Sequence, residues 1–160
     1  MIELRLGGVE DAALVGRCLY LALGWNPERD MPSQDVVLAH PEIAIYHEGW
    51  GRPGDVVVIA EFKGEPVGMA FVRLFTESEH GHGFVEESIP EMGIAVEADH
   101  RGIGVGSMLL ARLHDELQRL GTERVSLSVE LANPAGRLYE RFGYVEIDRD
   151  DGAAIMVLEL

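Results

Sequence analysis

Apolar and charged residues alternate along Ile2–Leu6 with the two-residue period of a strand. A helix is expected from about Val9 to Leu23, with Glu10 and Asp11 in its first turn, where the helix dipole favours acids. The stretch from Gly24 to Gly54 carries Pro27, Pro32, Pro41 and Pro53 with Trp25 and Trp50. Short helices fit there around Ser33–Ala39 and Glu42–Glu48. Asp55–Phe62 and Pro66–Leu74 are β-rich runs joined by Lys63-Gly64-Glu65, a hairpin signal. Phe75–Pro90 reads as a loop of glycines, acids and two histidines. Met92–Val96 is a short apolar run suited to a strand buried on both faces.

After that run the backbone is stripped of side chains. His100-Arg101-Gly102-Ile103-Gly104-Val105-Gly106-Ser107 leads directly into a helix with Leu109, Leu113, Leu117 and Leu120 on one face, widened by Leu110. Arg112, His114, Asp115, Glu116, Gln118 and Arg119 are expected on the solvent side, and Gly121 provides the stop. Consecutive unobstructed N–H groups at the positive end of a helix make a nest for an anion such as pyrophosphate, and Arg101 adds a fixed charge. A P-loop would need a Lys-Ser/Thr pair after its glycines, and none is present. A dinucleotide fingerprint would need G-x-G-x-x-G directly after the strand; here Ser107 stands at the third glycine and four residues, Glu97 to His100, intervene. The remaining pattern, R-x-x-G-x-G, is met by Arg101, Gly104 and Gly106.

A second segment follows. Val125–Val129 alternates as a strand, Asn133 and Pro134 suit a helix start, and Ala135, Leu138, Tyr139 and Phe142 share one helical face before Gly143. Tyr144–Asp148 and Ala153–Glu159 form a last hairpin around Asp151-Gly152. Together, the Arg101–Gly106 loop and the string Asn133-Pro134-Ala135-Gly136-Arg137-Leu138-Tyr139 resemble the two signatures of the GNAT superfamily of N-acetyltransferases. Gly136 departs from them, standing where that family usually has alanine.

The resemblance implies an α/β (α+β) fold: a mixed, mostly antiparallel sheet of about seven strands with helices on both faces, in the order β-α-α-β-β-β-α-β-α-β-β. It implies transfer of an acetyl group from acetyl-CoA directly to the amine of a small molecule or peptide. The implied cofactor-binding groups are the backbone of Ile94, Ala95 and Val96, the loop Arg101, Gly102, Ile103, Gly104, Val105, Gly106 and Ser107, and Asn133. Tyr139 stands at the family's acid position, where a phenol of pKa near 10 suits reprotonation of a thiolate of pKa near 8.5. Its alternative is a core tyrosine packed beside Leu138 and Phe142. Glu91 is the implied base, and burial or a water relay is needed to make a carboxylate effective towards an ammonium. A solvated strand-end glutamate is the alternative, and Glu86 and Glu87 are near in sequence. The other functional reading is a non-catalytic acyl-CoA-binding sensor or interaction module, against which Tyr139 speaks.

Composition bounds these readings. The 160 residues suit a single domain spanning 1–160. No run approaches the roughly 18 apolar residues of a membrane span, and the N-terminus lacks signal-peptide blocks. One cysteine, Cys18, allows no intrachain disulfide and makes a cytoplasmic setting the expectation; on its apolar helix face it reads as a small buried hydrophobe. A net charge of −15 argues against a nucleic-acid partner. The acids Glu77, Glu79, Glu86 and Glu87 suit either a cationic acceptor or simple solubility. His80-Gly81-His82 lacks a third ligand, so no metal is expected. Trp25, Trp50 and Phe75 read as acceptor-pocket aromatics or as satellite core. The resemblance implies a homodimer as one possible assembly and leaves the oligomeric state open.

Overall fold

The computed structural model describes residues 1–160. In chain order it contains β1 (Ile2–Leu6), a 3₁₀ turn at Val9–Asp11 leading into α1 (Ala12–Leu23), then α2 (Gln34–Ala39) and α3 (Pro41–Ala44). β2 (Val56–Phe62), β3 (Glu65–Arg73) and β4 (Glu91–Val96) follow, then α4 (Val105–Arg119), β5 (Arg124–Glu130), α5 (Ala135–Arg141), β6 (Val145–Arg149) and β7 (Ala153–Glu159). One seven-stranded sheet results, in the order β1-β2-β3-β4-β5-β7-β6, antiparallel except between β4 and β5. The expected order of elements holds, with both short helices present and α3 ending at Ala44 rather than reaching Glu48. Lys63 and Gly64 both take positive φ (52° and 80°), so the β2–β3 hairpin closes on two residues and β3 starts at Glu65, one residue earlier than expected.

The two-residue period of the strands sorts the core into two layers. Val58, Ala60, Ala70 and Val72 point to the face covered by Leu109, Leu110, Leu113 and Leu117 of α4. Val57, Ile59, Met69 and Phe71 point to the opposite face, against Val15, Cys18 and Leu19 of α1. Cys18 is fully buried, as expected, and its thiol donates to the Met69 carbonyl.

α4 ends as its sequence implies. Gly121 takes φ 82°, and the amides of Gly121 and Thr122 return to the carbonyls of Gln118 and Leu117. Three expectations need correction. β4 is not buried on both faces: Gly93, Ile94 and Val96 are half-buried because they wall a cavity. His114 does not face water. It is 8% exposed, its Nε2 lies 2.8 Å from the Tyr144 hydroxyl, and its ring meets the edge of Phe142. Glu116, also expected in solvent, is buried beneath Arg112 and Arg119, which pair with it.

Burial lowers the His114 pKa to about 4 from 6.5. The unfolded chain therefore binds a proton that the folded protein refuses between those values, so this contribution to stability is full above pH 6.5 and is lost as pH falls towards 4. His114→Gln should remove that part of the acid destabilisation. The check is thermal unfolding of both proteins from pH 4 to 7, and parallel curves would contradict it.

Candidate active site in the split between β4 and β5

β4 and β5 run parallel but register at a single pair, Glu91 with Ser126, closed by the Ser126 amide on the Pro90 carbonyl at 3.0 Å. Beyond that point they part. Each then turns a backbone edge with no strand partner towards a cavity of about 750 Å³. Met92–Val96 forms one wall and Leu127–Glu130 the other, with Leu138 and Tyr139 of α5, Leu19 and Ala22 of α1, Tyr46 and Phe71 closing it.

Where β4 ends, Arg101 donates from Nε to the Val96 carbonyl at 2.9 Å, and Arg17 of α1 forks onto Glu97 with both hydrogen bonds at 2.9 Å. Gly102 (φ 76°) and Gly104 (φ 91°) then take left-handed conformations that any Cβ would strain. No side chain caps α4, so the N–H groups of its first turn remain free beside the cavity. The amide nest inferred from the glycines is thus formed, at the mouth of the split.

At the opposite end lies a buried acid. Glu91 is only 4% exposed; its Oε2 accepts the Tyr46 hydroxyl at 2.5 Å and its Oε1 has no hydrogen-bond partner. Burial raises its pKa to about 7, against the opposing pull of Tyr46, the Gly83 amide and His80. Tyr46 is held by Arg73, whose Nη1 donates to the carbonyls of Ile45 and Glu48 on either side of it, at 3.0 and 2.8 Å. The rest of that guanidinium forks onto Asp55 at 3.0 and 2.8 Å and lies 5.2 Å from the Trp50 ring. Tyr139, buried between these two ends, has its pKa pushed above the ordinary phenol range by burial, so it keeps its proton at neutral pH.

A sequence model of the Acetyltransferase (GNAT) family matches residues 22–144. The chain belongs to the GNAT acetyltransferase family. No protein of curated function matches its sequence. Among solved structures it is similar to a GNAT-family acetyltransferase of Streptococcus pneumoniae, with 21% identity, all of each chain covered and a TM-score of 0.69. PaiA N-acetyltransferase of Thermoplasma acidophilum, solved with coenzyme A, gives 16% identity, 100% and 99% coverage and a TM-score of 0.69. YncA of Salmonella typhimurium, solved with its cofactor acetyl-CoA, gives 22% identity, 99% and 94% coverage and a TM-score of 0.68. At these identities the likeness is one of fold.

Of the residues singled out in the sequence of this GNAT chain, Ile94, Ala95, Val96, Arg101, Gly106, Asn133, Glu91 and Tyr139 all line the cavity. Gly102, Ile103, Gly104, Val105 and Ser107 form the loop and first turn at its edge; Val105 sends its side chain into the core and offers only its amide. Asn133 accepts the Ala135 N–H at 2.9 Å, so α5 starts one residue later than expected with Asn133 still serving its first turn. Of the three aromatics, Trp25 lines the cavity while Trp50 and Phe75 are core. The acidic loop residues lie elsewhere: Glu86 pairs with Arg124, and Glu87 accepts the Glu77 amide. The acids lining the cavity are Glu91, Glu130 and Asp150. Tyr46, Arg73 and Asp55 were not anticipated; Arg73 at the end of an apolar strand was the only available signal.

The Arg73 and Asp55 side chains are 1% and 2% exposed. Arg73→Met should leave the buried Asp55 carboxylate without its counter-charge, held only by the Gly51 and Arg52 amides, and two carbonyls unpaired, at a cost of about 3–5 kcal/mol. Urea unfolding measures this, and a loss below about 1 kcal/mol would contradict the placement of the pair.

Proposed function

We propose that this protein is an acetyl-CoA-dependent N-acetyltransferase acting on a primary amine of a small molecule or peptide, with residues 1–160 forming one catalytic domain. The observation that carries the reading is the amide-edged split opening beside an uncapped glycine nest. Its free N–H groups and Arg101 suit a pyrophosphate, and the unpartnered edge at Ile94, Ala95 and Val96 suits the amides of a pantetheine arm.

Acetyl-CoA supplies an activated acyl carbon and a thiolate leaving group. Amides of β4 stabilise negative charge developing on the acyl oxygen, a contribution of a few kcal/mol in comparable sites. Glu91 takes the proton released as the amine nitrogen bonds to that carbon. Tyr139 gives its proton to sulfur as the carbon–sulfur bond breaks. The base and the acid are thus different groups. Trp25, Arg29, His82 and Asp150, which line the cavity from loops rather than from the signature motifs, are the residues that select the acceptor in this reading. A cytoplasmic homodimer is the setting proposed with this activity; no helix is long and apolar enough to cross a membrane.

Acetyl-CoA at 100 times its dissociation constant should stabilise the protein by about 2.7 kcal/mol, raising its unfolding midpoint, and Arg101→Glu should diminish that rise. No rise at millimolar acetyl-CoA would overturn the reading. With polyamine, aminoglycoside and peptide amines as acceptors, Tyr139→Phe should lower kcat by roughly 10²–10⁴ without changing acetyl-CoA affinity. Glu91 accepts a proton only when ionised, so kcat/KM should fall as pH drops through about 7, and Glu91→Gln should abolish that limb. A steady-state pH profile of both proteins checks the sign.

A further inference from the structure

Reading Glu91 as the base leaves Tyr46 and the segment His80–Gly83 without a purpose. That segment lies directly over the Tyr46–Glu91 pair. A Cβ at residue 81 would fall 1.6 Å from the Tyr46 hydroxyl, and one at residue 83 would fall 2.8 Å from Glu91 Cδ. Neither glycine has a positive φ, so space rather than backbone conformation demands them. Ser126 Oγ donates to the Gly83 carbonyl at 2.7 Å, and His80 stacks on Phe84 at 4.3 Å, which holds the segment down. From beneath, Arg73 fixes the carbonyls on both sides of Tyr46.

We propose that Tyr46 is a positioning residue for the acyl-transfer reaction, donating to Glu91 Oε2 so that the carboxylate is fixed and Oε1 alone is left to take the amine proton. This rests on the reading of Glu91 as the base. Oε1 is buried and has no partner in the protein, so the amine proton reaches it when a bound acceptor or a relaying water lies against it. Burial keeps the Tyr46 proton in place, so the hydroxyl donates a hydrogen bond and takes no part in proton transfer itself. The groups around Glu91 are Tyr46 from the turn after α3, His80 and His82 from the β3–β4 loop, Ser126 from β5, and Arg73 across the ladder, already paired with Asp55. Asp150 faces the cavity from the β6–β7 turn. Among these side chains, Tyr46 is the one within hydrogen-bond distance of the carboxylate, while the Gly83 amide adds a weaker backbone pull on it.

A hydrogen bond to the ionised form lowers the pKa of a carboxylate, so removing it must raise the pKa. Carbon-13 NMR of protein labelled at the glutamate carboxyls reads this without an acceptor. Glu91 is the resonance that titrates near pH 7 and vanishes in Glu91→Gln. Tyr46→Phe should move its midpoint up by about one pH unit. Gly81→Ala, which displaces the hydroxyl while keeping the tyrosine, should move it the same way. Calorimetry with acetyl-CoA should find affinity within about twofold of wild type in both variants. A midpoint unchanged or lowered in the two variants, with acetyl-CoA still bound, overturns the role of Tyr46 alone. Absence of acetyl-CoA binding by wild type overturns the acetyltransferase reading and this role with it.

Discussion

Two adjacent strands that refuse to stay paired govern this structure. β4 is locked to β3 by six register pairs and β5 to β7 by seven, yet the two meet each other at one. Side-chain ties secure their far ends to helical elements rather than to one another. Arg17 draws Glu97 to α1, while Trp25 and Arg29 hold Glu130 at the end of β5. What remains is an internal sheet edge. Unpaired backbone groups inside a protein require water or a ligand as partner, so a strand-like ligand with its own amides satisfies the fold as well as the chemistry.

The same parting sets the electrostatics. One end of the split carries the positive terminus of a fifteen-residue helix and Arg101; the other carries a carboxylate whose charge is disfavoured by burial. Tyr139 sits between, neutral because its surroundings disfavour a phenolate. The positive nest and the buried, proton-holding side chains are thus set apart along one cavity. The buried Asp55–Arg73 pair serves this arrangement from outside the cavity, by fixing the turn that presents Tyr46.

The frame and half of the site were legible because they depend on local rules. Glycine φ preference, helix caps and two-residue alternation placed the loop, α4, α5 and every strand to within about two residues. Tyr139 and Glu91 came from motif resemblance. Tyr46 did not, because its meaning depends on a residue 45 positions away and its own segment has no periodicity. Asp55 and Arg73 meet across a hairpin, 18 residues apart, and neither residue type announces a partner. His114 lies on an apolar face wider than the leucine spacing alone implies. It shares the face of Leu110 and Leu117, and the Tyr144 ring extends cover over that flank. Of the acidic loop, Glu86 is tied to Arg124 and Glu87 to the Glu77 amide, away from the cavity.

The central claim is that the opening between β4 and β5 is itself the acyl-CoA site. Backbone amide NMR during titration with coenzyme A tests it residue by residue. Coenzyme A bound in the opening should give the largest changes at Ile94–Val96 and across Gly102–Ser107, with β1 and β6, at the two edges of the sheet, undisturbed. Changes confined to other surfaces, or none along β4, would contradict it.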